Sequence, residues 1–181
     1  MAISLSVFNL GAISLGFSSI VVACTEPLIR VANKYNFYLF PKNDFFEYTP
    51  SDLHTHSQNL FIATAVFLGI GLVFALIDSL AEVCGKEDTE GIKGVTVGCI
   101  SISSILYISA VSTLGRVVYD VIDYIENLPL PLPPVKDIDI IYKIGSQMGL
   151  VGIFSTLSAL VLSIICLHRQ ASNRRGYVQL P

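Results

Sequence analysis

The sequence predicts an all-α integral membrane protein, a four-transmembrane-helix bundle whose third helix extends beyond the membrane. Three observations predict it. Of 181 residues, 52% are hydrophobic and only 14% are charged, where a soluble domain carries about a quarter charged residues. The charge deficit is concentrated in four blocks, residues 3–25, 60–81, 94–119 and 144–167. Each reaches the ~20 residues that a helix needs to cross ~30 Å of hydrocarbon. Each block also carries small residues at helical spacing, which let helix backbones approach closely in lipid. Transmembrane strands would be about half as long and alternating, and these blocks are neither. The remainder leaves one membrane domain, no room for a soluble one, and a short cytoplasmic tail at 168–181. The net charge of −3 is too small to argue for nucleic acid or another charged partner.

The first block holds Ala12 and Gly16 four apart, with Gly11, Ser14 and Ser18 nearby. Val21-Val22-Ala23-Cys24 resembles a cleavage site. However, the leading Met1-Ala2 has no Lys or Arg and the apolar run exceeds a signal core, so the block is expected to stay as a span. Pro27 is expected to kink or restart the helix. Glu26 and Arg30, four apart, would pair if the helix resumes.

The following loop, about 30–58, packs seven aromatics into fourteen residues, from Tyr35 to Tyr48. Such rings favour the headgroup layer; the other reading is a short hairpin around Pro41-Lys42-Asn43-Asp44. Asp52, His54 and His56 have the look of metal ligands, but no third and fourth ligand is placed elsewhere, so no metal is expected.

The second block carries Ala65, Gly69 and Gly71 as a close-packing pattern, and Asp78 is the one acid clearly inside an apolar block. An ionisable residue in a membrane helix needs a partner. Lys93 and Arg169 belong to the same membrane face, and access to water is the simpler alternative.

The third block has a stripe of Gly98, Ser101, Ile105, Ser109, Ser112 and Arg116, continued by Asp120 and Asp123. The opposite face carries Ile100, Tyr107, Val111, Leu114, Val118 and Val121. The stripe is expected to face the bundle interior. Arg116 would meet Glu26 at the outer level, or Asp120 one turn along its own helix. Glu26, Arg116, Asp120 and Asp78 are therefore the candidate ion-pairing residues. Four prolines in the six residues 129–134 then impose an extended connector. Asp137 or Asp139 is expected to begin the last helix, with Gly145 and Gly149, then Ser155, Ala159 and Ser163, as a small-residue ridge.

Four spans put both ends of the chain on one side. That side holds Lys86, Lys93, Arg169, Arg174 and Arg175 in few residues, so the termini are expected in the cytoplasm. Tyr177-Val-Gln-Leu180 has the form of a tyrosine-based sorting signal, Tyr-x-x-bulky apolar. Its tyrosine and leucine would each fill a pocket of a sorting adaptor. It directs the localisation reading to the plasma membrane or an endosomal or lysosomal membrane. The four cysteines lie outside both long loops, so no disulfide staples those loops.

The layout resembles, in topology, the broad set of four-span proteins that includes claudins, the peripheral-myelin group, MARVEL proteins and tetraspanins. The long third helix is similar to that of claudins. The first loop has neither the Trp-Gly-Leu-Trp pattern nor the two cysteines expected of claudins, and the second loop lacks the cysteines of tetraspanins. No family and no functional residue carries over. No histidine lies inside an apolar block, no Cys-x-x-Cys occurs and no nucleophile has an evident base, so neither an enzyme nor a cofactor is expected. The predicted role is lateral association with other membrane proteins or with itself. An oligomeric channel or transporter is the alternative.

Overall fold

A computed structural model describes residues 5–31, 35–40, 52–85, 89–126 and 140–177. It contains four helices, α1 (Leu5–Thr25), α2 (Asp52–Val83), α3 (Glu90–Glu126) and α4 (Ile144–Tyr177). Three short strands accompany them, β1 (Ile29–Val31), β2 (Tyr35–Phe37) and β3 (Ile140–Tyr142). All four helices are long and apolar enough to cross a membrane, the make-up of a multi-pass membrane protein. Their outward faces carry large apolar side chains, among them Phe8, Ile105 and Phe154. Such an exterior suits hydrocarbon, where apolar groups cost nothing to expose.

Each helix packs antiparallel against its neighbours in the order α1–α2–α3–α4, and α4 closes the ring on α1. The contact faces follow helical periodicity: Ile13, Gly16, Ile20 and Ala23 on α1; Phe61, Leu68, Gly71 and Ala75 on α2. On α4 the expected ridge of Ser155, Ala159 and Ser163 is buried. Gly16 lies so close to Thr156 and Leu68 that a Cβ would sit 3.0 Å from the Thr156 methyl carbon. Gly152 is tighter still: its backbone forms the seat of the fully buried Tyr107, whose ring a Cβ would overlap. Tyr107 also meets Phe61 edge-on, ring centroids 5.8 Å apart.

The third helix corrects one expectation. Gly98, Ser109, Ser112, Arg116, Asp120 and Asp123 are exposed, and Ile105 with them, whereas Ile100, Tyr107, Leu114 and Val121 form the buried face. The stripe points outward. The physical reason is volume: the glycines of α4 and α2 leave depressions that large α3 side chains fill. The polar stripe meanwhile carries hydroxyls that bond their own helix. Ser101 Oγ donates to Val97 O at 2.8 Å, and neighbouring Thr113 Oγ1 donates to Ser109 O at 2.7 Å. Back-bonded hydroxyls need no partner across the bundle.

The loops hold a second correction. After Pro27 the chain does not resume a helix but enters β1. There Arg30 Nε donates to Asn36 Oδ1 at 2.9 Å, and no ion pair forms with Glu26. β1 is the middle strand of an antiparallel sheet, order β2–β1–β3, with Arg30 opposite both Asn36 and Ile141. The last helix therefore starts at Ile144, later than expected, because 140–142 is taken up by strand pairing. Val31 pairs with Tyr35 at the last register position of β1 and β2; Pro41-Lys42-Asn43-Asp44, Phe45, Phe46, Tyr48 and the proline run 129–134 lie outside the described residues.

Candidate functional site

Buried hydroxyls along the helix middles, such as Ser19, Thr64 and Ser104, bond their own helix; polar side chains that bond between elements occur at both ends of the bundle. The end opposite the sheet is where α1 begins, α2 ends, α3 begins and α4 passes its last buried turn. α2 stops there because Gly85 takes the left-handed conformation, φ 72°, and its N–H closes on Glu82 O at 3.1 Å, a common helix stop. The short connection brings α3 back antiparallel, and Lys93 comes to face Asp78 and Glu82 across the α2–α3 seam.

Lys93 Nζ donates to Glu82 Oε1 at 3.0 Å and lies 3.7 Å from Asp78 Oδ1. Ser6 Oγ on α1 donates to the same Glu82 oxygen at 2.9 Å. One turn deeper, Ser163 Oγ of α4 donates to Asn9 Oδ1 of α1 at 3.0 Å. Asp78 is 6% exposed and the Lys93 side chain 11%, so this ion pair is shielded from bulk solvent. Asp78 is hydrogen-bonded by the buried Thr89 side chain, while its Oδ1 atom makes no hydrogen bond within the protein. A small cavity of about 10 Å³ lies among Asp78, Lys93, Thr96, Asn9, Ser163 and Cys166. All four helices contribute to it.

The sheet end is held differently. Leu39 O accepts from His54 Nε2 at 2.6 Å and from Gln58 Nε2 at 2.7 Å. A carbonyl only accepts, so the Nε2 atom carries the proton. His54 is 1% exposed and meets Phe37 of β2 edge-on, centroids 5.5 Å apart. His56 and Asp52 point outward. Among the described residues no group of three or more His, Cys, Asp or Glu side chains is placed to hold a metal.

Of the sequence-predicted site residues, Asp78 is placed in the polar cluster with Lys93, and Arg169 is exposed. Glu26, Arg116 and Asp120 are exposed at the sheet half of the bundle, and among the described residues no ion pair joins them. Tyr177 is the last residue of α4; Leu180 lies outside the described residues. Sequence reasoning missed Ser6, Asn9, Glu82, Thr96 and Ser163 as members of the cluster. One signal was available: Asn9 is the only carboxamide in the first apolar block, and a carboxamide there needs a partner on another helix.

A second concave feature is an apolar groove of about 850 Å³ between α1 and α2, walled by Phe17, Phe40, Phe61, Ala65, Gly69 and Phe74. It offers shape and no chemistry.

No family model and no curated protein matches the chain.

Proposed function

We propose that the chain is a non-enzymatic four-span membrane protein that acts by lateral association with other membrane proteins, or with itself. One observation carries this reading: the outward face of α3 carries a strip of small residues, broken by Ile105 and flanked by exposed Ile102 and Ile108. Gly91, Gly94, Gly98 and Gly115 each have open space where a Cβ would stand, and Ser109 and Ser112 lie exposed between them. In lipid such a face admits another helix at close range, and packing and weak hydrogen bonds are the forces that join helices there. A channel or transporter is less well supported, because the bundle centre is filled by Ile13, Phe61, Leu68, Tyr107 and Ala110.

On this reading α3, at ~1.5 Å per residue, is about 55 Å long and projects its outer turns, with Arg116, Asp120 and Asp123, beyond ~30 Å of hydrocarbon. Both termini are cytoplasmic on this reading. Tyr177 and Leu180 then face a sorting adaptor, directing the protein to the plasma membrane or to endosomal or lysosomal membranes. Protease protection of a C-terminal tag tests the sidedness. Tyr177→Ala tests the signal, and unchanged surface and endosomal levels would end that part of the reading.

The central test is purification of the full chain from mild detergent beside a Gly98→Leu/Ser109→Leu variant. The wild type is expected in a complex larger than a monomer, and the variant as a monomer with the same thermal midpoint. A bare wild-type monomer with no co-purifying membrane protein would defeat the proposal.

A further inference from the structure

We propose that the cavity between Asp78 and Lys93 is an internal hydration site that holds a single water molecule among all four helices. Three observations converge on it. The cavity volume is about 10 Å³, about what one water requires. Asp78 Oδ1 lines it, is buried, and receives no hydrogen bond from the protein. The Lys93–Asp78 separation of 3.7 Å is too long for a direct hydrogen bond and suits a bridging water.

The lining also defines the chemistry of the occupant. Thr96 spends its hydroxyl proton on Ile92 O at 3.0 Å, and Ser163 spends its own on Asn9 Oδ1 at 3.0 Å. Both oxygens, like Asp78 Oδ1, therefore face the cavity as acceptors. Lys93 has three protons and places one on Glu82. The occupant must donate to Asp78 Oδ1, and to one of the two hydroxyl oxygens, and accept from an ammonium, which is what water does. A metal cation would satisfy the oxygens but would stand against the Lys93 ammonium lining the same small space.

Cys166 lines the cavity and serves as reporter. The full chain in lipid nanodiscs is exposed to synchrotron X-rays, which convert bound water to hydroxyl radicals that oxidise adjacent side chains. Cys166 is expected to be labelled at least five-fold faster than Cys99, although it is buried. Ala75→Val, which pushes methyls into the cavity wall, is expected to bring Cys166 down to the Cys99 rate. Equal rates in the wild type overturn the proposal, as does Cys166 labelling that a folded Ala75→Val protein retains. A thermal midpoint higher in sodium chloride than in choline chloride would show a cation in the site and also overturn it. Should Ala75→Val fail to fold, the wild-type ratio and the salt comparison decide.

Discussion

The two ends of the bundle are held together by different kinds of bond. At the sheet end, backbone does the joining: Leu28 N donates to Phe37 O at 2.8 Å and Lys143 N to Leu28 O at 2.9 Å, so both long connections meet in one sheet. At the other end, side chains do the joining through Glu82, Lys93, Asp78, Asn9 and Ser163. A backbone pairing tolerates many side chains; an ion pair depends on each of its members. Stability should therefore be sensitive to single side chains at the cluster and to backbone geometry at the sheet.

Lys93→Met breaks the comparison most severely, because it leaves the buried Asp78 without its counter-charge, with only the Thr89 hydrogen bond remaining. The expected loss is about 3–5 kcal/mol, read as a lowered thermal midpoint in mild detergent. Adding Asp78→Asn should recover part of it, and no recovery would mean that the pair is not coupled. At the sheet end the largest effect should come from a backbone position. A Cβ on Gly145 would stand 2.8 Å from Glu26 O and 2.9 Å from Pro27 O. Gly145→Ala is thus expected to cost about 1–3 kcal/mol and to speed amide exchange at Leu28 and Lys143.

His54→Leu tests a buried side chain at that end. It deprives Leu39 O of one of its two donors, and the expected loss is about 1 kcal/mol, smaller than that of Lys93→Met. The reverse order would overturn the contrast. Arg116→Ala should sharpen the comparison by doing almost nothing, within about 0.5 kcal/mol, since the residue is exposed and makes no ion pair among the described residues.

The helices were legible because hydrocarbon imposes a length and a composition that few other structures share. The α4 ridge could be read as well, since Gly145, Gly149, Ser155, Ala159 and Ser163 are all buried against the bundle. The same rule failed on α3. A small-residue stripe marks a face fit for close approach, but not which neighbour approaches. The choice was made by Tyr107, which needs the space at Gly152 forty-five positions later in the chain, and pairwise fit of this kind is invisible in either helix alone. The three strands were missed for a similar reason. Each has only three residues, too short for alternation to show, and β1 acquires its second partner from the other long connection. The polar cluster was half legible. Asp78 and Lys93 stood out as charges at one face, whereas Ser6, Asn9 and Ser163 are ordinary until the helix register aligns them.

The pairing of β1 with β3 has a consequence for the order of assembly. Ile29 and Tyr142 are roughly 110 residues apart, and α1 finds its broadest partner in α4, the last helix to be made. At about 5–20 residues per second of synthesis, α1 waits on the order of ten seconds for the strand and the helix that complete its surroundings. α2 and α3, joined by a tight turn, form a hairpin in the interval. The nascent chain is then a finished hairpin beside an orphan helix whose Asn9 and Gly16 are still exposed. A chain truncated after α3 should therefore keep a stable α2–α3 unit and leave the Asn9 and Gly16 face of α1 open to crosslinking with a neighbouring copy.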